Sequence, residues 1–207
     1  MVIETPDVTW THTFLDVFIH YVPKNVKTVL DIGCGRGLVG SLLKIYREPI
    51  RIVGVDVFDP YLGFCRRLGV YDSLVKFDVC QTPLPFGNKE FDLAVALEVI
   101  EHLPKRKGFD LLSELKRVAR NVIVSTPNRF FAQEGYDEND FQHHLSRWTV
   151  RDLRSRGYTI VGVGGMMFFG KEIKHLSYVL GRLTLPFPHL SSSIMGLYPK
   201  KRSSPLE

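Results

Sequence analysis

Residues 29–37 read VLDIGCGRG, an apolar run that closes on glycines 33, 35 and 37 before residues 38–46 resume with helical spacing. This reads as a strand, a tight turn and a helix. Glycine lets a ligand approach the backbone where a Cβ would collide, and the helix N-terminus offers unpaired N–H groups to a carboxylate or phosphate. The turn therefore points to an adenosyl cofactor. A dinucleotide fingerprint, G-x-G-x-x-G, would need glycine at position 38, where Leu38 stands. Asp31, two residues ahead of Gly33, sets a carboxylate where a pyrophosphate would be repelled and an ammonium or sulfonium attracted.

Outward from this motif, strands and helices alternate. Residues 26–32, 50–57, 73–79, 91–97, 121–125 and 158–163 read as strands, and 60–68, 110–119, 149–156 and 172–183 as helices. Apolar strands separated by helices predict a parallel sheet buried on both faces, with right-handed crossovers. A last strand near 193–198 lacks a preceding helix of its own layer and is expected to enter antiparallel. The expected fold is α/β: a Rossmann-like, seven-stranded, mostly parallel sheet with an antiparallel last strand and helices on both faces. One domain, 1–207, is expected, with an N-terminal cap helix in 1–25, a cofactor-binding core in 26–165, and a C-terminal helix and last strand in 166–207.

Composition narrows the class. The chain has 207 residues, 44% hydrophobic and 24% charged, which suits a globular protein that buries its own core. Its opening is acidic where a signal peptide needs basic residues, and no apolar run approaches membrane-spanning length, so a cytoplasmic location without membrane contact is expected. Cys34, Cys65 and Cys80 lack metal-type or redox-type spacing and are expected to be reduced packing residues. A net charge of +5 permits RNA as a partner, although solvated surface explains the excess equally well.

Two further strand ends carry acids. In VGVDV, residues 53–57, Asp56 follows the glycines by about twenty residues, where a carboxylate can accept from both ribose hydroxyls. In KFDV, residues 76–79, Asp78 and the Val79 N–H match the amine and ring nitrogen of adenine. Three strand ends thus supply, in order, the parts of one adenosyl ligand.

In the order and spacing of these motifs, residues 26–165 resemble the class I S-adenosylmethionine-dependent methyltransferases. The segment FDLAVALEVIEHL, residues 91–103, is similar to the family's fourth strand, which runs to the cofactor sulfur. The resemblance implies S-adenosyl-L-methionine as cofactor, held by Asp31, Gly33, Cys34, Gly35, Asp56, Val57, Asp78, Val79, Leu97 and Glu98. It also implies an acceptor seated over the loop that bears Glu98, Glu101 and His102. The segment has no Asn/Asp-Pro-Pro-Tyr/Phe run, as amino-group enzymes often do, and no Pro-Cys pair, so an oxygen acceptor is the default. A sulfonium is already an activated donor, so the protein must chiefly align and desolvate. Any needed base comes from Glu98, Glu101, His102, His143 and His144, with spacing alone singling out none.

Glu98, Glu101 and His102 fall at i, i+3 and i+4, one face of a helical turn. With His144 from the later segment HHLSRWT they form a candidate site for Mg, Mn or Zn. This E-x-x-E-H element resembles metal-assisted O-methyltransferases of quinone precursors and, more weakly, those of small-RNA 2′-hydroxyls; a Glu-His capping and lining role is the plainer reading. A small-molecule acceptor is the leading expectation, RNA the alternative, and a cofactor-binding scaffold the third, in a monomer or homodimer. Trp10, Phe14, Phe18 and Tyr21 predict a helix that either caps the site or packs on the core. Ile173, Leu176, Leu180 and Leu183 predict one that roofs the site, dimerises or packs.

Overall fold

A computed structural model describes residues 8–47, 50–129, 138–168, 171–172 and 184–199. The elements are α1 (Val8–Tyr21), β1 (Thr28–Ile32), α2 (Leu38–Arg47), β2 (Arg51–Asp56), α3 (Asp59–Leu68), β3 (Ser73–Lys76), β4 (Phe91–Leu97), α4 (Lys105–Val118), β5 (Ala119–Pro127), α5 (Val150–Ser155), β6 (Thr159–Phe168), β7 (Lys171–Glu172) and β8 (Ser191–Tyr198). They form one sheet in the order β3-β2-β1-β4-β5-β8-β6-β7. β1 pairs in parallel with β2 on one side and β4 on the other. The carboxyl ends of β1 to β5 therefore share one edge, and the order reverses between β1 and β4, where such sheets open a crevice.

Strand alternation divides the core. Leu30, Ile32, Val53, Val55, Ala94 and Val124 bury on one face with α4 and α5. Val29, Ile52, Leu93, Val95 and Ile123 bury on the other.

The expected antiparallel last strand is β8, which lies between β5 and β6 and runs against both. Among the described residues a 3-10 turn, Pro188–Leu190, leads into it, and it starts at the end of the sheet at which β6 leaves. β6 continues beyond the expected 158–163, across a bulge between Val163 and Met166, and two-residue β7 extends that edge.

Of the two readings for the first helix, the structure shows packing: Phe14, Val17 and Phe18 bury against Val29, Ile123, Val163 and Met195 on the sheet face. The side chain of Trp10 lies outside the described residues. So does 173–183, with the expected stripe of Ile173, Leu176, Leu180 and Leu183; Lys171 and Glu172 at its border are strand, not helix. Among the described residues no helix is long and apolar enough to cross a membrane.

Fully buried Trp148 fastens the segment after β5 to the loop after β4. Its indole N–H donates to the Ile100 carbonyl at 3.0 Å and to the Ser146 hydroxyl at 2.9 Å. Trp148→Ala is expected to cost about 3–5 kcal/mol of stability, seen as a melting point lower by roughly 10 °C in a thermal scan. A drop of about 2 °C would mean that the segment docks without it.

Candidate active site

The carboxyl ends of β1, β2, β3 and β4 enclose a cavity of about 360 Å³, within the roughly 300–1,000 Å³ of small-molecule sites. Gly33 and Gly35, both at positive φ (67° and 51°), form its floor, in the left-handed backbone that favours glycine. Asp56 ends β2 and cross-braces this turn: Oδ2 accepts from the Gly35 N–H and Oδ1 from the Phe58 N–H, each at 2.9 Å. Burial raises its carboxyl above the ordinary range, against the pull of those backbone N–H groups. Asp78, just past β3, lines the next wall beside Phe77, Val79 and Cys80, its Oδ1 accepting from the Cys80 N–H at 2.9 Å.

Glu98 leaves β4 with a left-handed backbone (φ 54°), a conformation that costs a non-glycine residue about 1–3 kcal/mol. Its N–H donates to both the carbonyl and the hydroxyl of Ser125 on β5, and that hydroxyl donates to Oε1 at 2.7 Å. Burial lifts the Glu98 carboxyl to about 7. Glu101 is 2% exposed, and burial first, then the Glu98 charge, pushes its carboxyl well upward. The Thr126 hydroxyl and the Glu98 carboxyl lie beside it, yet neither Glu101 oxygen makes a well-formed hydrogen bond with any described residue.

The segment after β5 returns over this loop, with the Leu145 and Ser146 N–H groups donating to the Glu101 carbonyl. The His102 Nδ1 lies 3.2 Å from the His143 carbonyl. A carbonyl only accepts, so Nδ1 carries the proton and Nε2 keeps its lone pair. Burial lowers the His102 pKa, which favours the neutral ring. The rings of His102 and His144 meet edge-on, centroids 4.9 Å apart. One ligand atom each from Glu101, His102 and His144 fall within 4.8 Å of one another.

Of the residues expected from sequence, Gly33, Gly35, Asp56, Val57, Asp78, Val79, Glu98, His102 and His143 line the cavity. Asp31, Cys34, Leu97, Glu101 and His144 stand behind that lining. Asp31 is 1% exposed and takes the Tyr71 hydroxyl at 2.7 Å. Cys34 and Cys65 are buried thiols, whose pKa burial raises, as packing residues should be. Val55, Phe77, Cys80, Val99, Leu103, Pro104, Leu145 and the stretch 139–142 complete the wall without having been anticipated.

The family described as Methyltransferase domain matches residues 30–122, which span the glycine turn, both acidic strand ends and the Glu98–His102 loop. Over these residues, and in its fold, the chain is similar to the S-adenosylmethionine-dependent methyltransferases. It is 30% identical over 161 residues to a fatty-acid O-methyltransferase of Mycolicibacterium smegmatis, covering 76% of this chain and 55% of that one. It is 31% identical over 110 residues to a ubiquinone biosynthesis O-methyltransferase of Aromatoleum aromaticum, covering 51% and 46%. The chain thus spans about half the length of these two relatives. A SAM-dependent methyltransferase of Archaeoglobus fulgidus shares the fold, with a TM-score of 0.60 at 21% identity, over 88% of this chain and 90% of that one. The missed wall residues come from loops without a periodic signal. Phe77 and Cys80, which flank the adenine-side pair, were the ones within reach of the motif.

Proposed function

We propose that the protein transfers the methyl group of S-adenosyl-L-methionine to an oxygen of a small-molecule acceptor. One observation carries this reading: the glycine turn, Asp56, Asp78 and the Glu98 loop line a single cavity, in the order of the adenosyl ligand's own parts. Asp56 would take the ribose hydroxyls and Asp78 with Val79 the adenine edge. The acceptor would enter beside Leu103, Pro104, Phe141 and Leu145, whose apolar surfaces exclude water from the sulfonium. In-line displacement then needs alignment above all. Glu98, held near neutral pKa at the wall, would receive the acceptor's proton. The oxygen chemistry named for both reported relatives supports this choice of atom.

The residues present also fit a divalent cation. A buried carboxylate short of well-formed hydrogen bonds is costly unless a charge meets it, and the ligand atoms of Glu101, His102 and His144 lie within 4.8 Å of one another. Glu101, His102 and His144 would hold the ion, leaving Glu98 at the cavity wall. Such a cation would polarise the acceptor oxygen and ease loss of its proton.

RNA is a second reading because α4 opens with Lys105, Arg106 and Lys107 directly after Pro104 of the wall, Lys105 itself being paired with Asp152. Label from methyl-tritiated cofactor separates the readings. Offered fatty acids, catechols and short RNAs, the protein is expected to label a small hydroxyl or carboxyl compound. Label confined to RNA, lost steeply with added salt, would replace the leading assignment. Cofactor binding without transfer to any acceptor would make the protein a scaffold.

A further inference from the structure

Tyr71 sits in the loop between α3 and β3, outside every motif of the cofactor site. Its ring fills a notch cut by two glycines: a Cβ on Gly40 would come within 2.6 Å of Tyr71 Cζ, and one on Gly54 within 2.9 Å of Cδ1. The ring is thereby wedged between α2 and β2. From this wedge the hydroxyl reaches Oδ2 of Asp31 at 2.7 Å, at the end of β1 where the glycine turn begins. Burial, and Asp31 beside it, push the phenol pKa far up, so Tyr71 remains the donor. Asp31 lies behind the cavity lining, and a carboxylate so enclosed can face only where its neighbours turn it.

We infer that Tyr71 is a positioning residue for the amino-acid end of the cofactor: its wedged ring and hydroxyl aim the Asp31 carboxylate at the ligand's ammonium group. This rests on the methyltransferase reading above and assigns a role within it. The groups that face Asp31 pull in both directions. Burial raises its pKa to about 7, the Tyr71 hydrogen bond opposes that rise, and Asp56 adds to it. The thiols of Cys34 and Cys65 lie close enough to feel the Asp31 charge, and burial keeps both protonated. An ammonium prefers ionised Asp31, so affinity for it should fade as pH drops through this range. Without the hydroxyl, the midpoint of that loss should move to higher pH.

Two probes divide the ligand. S-adenosylhomocysteine carries the ammonium; 5′-methylthioadenosine has the same nucleoside and thioether but no amino-acid end. By calorimetry at pH 8, Tyr71→Phe, which keeps the ring in its notch, is expected to weaken S-adenosylhomocysteine about tenfold, as for one lost hydrogen bond to a charged group. It should leave methylthioadenosine unchanged. In an Asp31→Asn background the same change should have no further effect, because the coupling runs through that carboxylate. Equal losses for both probes, or an undiminished effect without Asp31, would overturn the positioning role while leaving the cofactor assignment intact. Wild-type protein that bound neither probe would remove both.

Discussion

Asp56→Ala is expected to weaken S-adenosylhomocysteine by at least about a hundredfold, with the fold retained by circular dichroism. The carboxylate does two jobs with different faces. Toward the protein it accepts the N–H groups of Gly35 and Phe58, both at 2.9 Å, and so ties the glycine turn to the end of β2. Toward the cavity, which it lines, its remaining lone pairs would serve the ribose diol of the proposed cofactor. Hydrogen bonds to a charged group are worth about 1.5–3 kcal/mol each, and every 1.4 kcal/mol is about tenfold in affinity. Losing two therefore exceeds a hundredfold before any loosening of the turn. Asp56→Asn keeps the shape but replaces one acceptor by a donor, so an intermediate loss is expected. A 2′-deoxy analogue should be weakened in wild type and show little further loss in Asp56→Ala. Unchanged affinity in Asp56→Ala would take the ribose contact away from β2.

What could be read from the residues follows from what each signal measures. Periodicity reports burial, so the strands and their alternation with helices were legible, and with them the end of the sheet at which a ligand sits. It says nothing of a polar first turn: α4 starts at Lys105 rather than near 110 because Lys105, Arg106 and Lys107 add no apolar stripe to betray the helix. The surroundings of Asp31 were hidden for a related reason: along β1 the direction alternates, so Asp31 shares the face of Val29, where the Tyr71 hydroxyl meets it behind the cavity lining. Glycines 33 and 35, Asp56 and Asp78 were legible because strand ends fix their place by topology alone. Asn139, Phe141 and Leu145 were not, since a returning loop closes on the cavity through contacts remote in sequence. The pinning bonds from Trp148 and Ser146 to Ile100 show how far such information is spread. α1 had an amphipathic pattern that fits either a lid or a core helix, and the number of apolar neighbours, absent from any single segment, decides for the core.

The second large effect is expected at Glu101, and its two parts have opposite signs. In chelator-treated protein above neutral pH, Glu101→Gln should raise stability, because a neutral amide avoids the ionisation that burial and the Glu98 charge oppose. The native carboxyl has no well-formed partner while burial and the Glu98 charge oppose its ionisation. Addition of Mn, Mg or Zn should reverse the order. Wild type gains melting temperature as the ion binds the folded state, whereas Glu101→Gln and His102→Ala gain little, since each removes a member of the trio. Methyl transfer should fall in the variant by about a hundredfold or more, several kcal/mol of lost charge stabilisation at the acceptor oxygen. The His102→Ala control bears on the same point from a different side, because His102 presents Nε2 only through the tautomer that the His143 carbonyl imposes. If the ion raised wild type and both variants alike, binding would lie elsewhere on the surface. If no ion moved wild type at all, Glu101 would be a protonated acid sharing its proton with Glu98, and the stabilising effect of Glu101→Gln would remain while the dependence on metal disappeared.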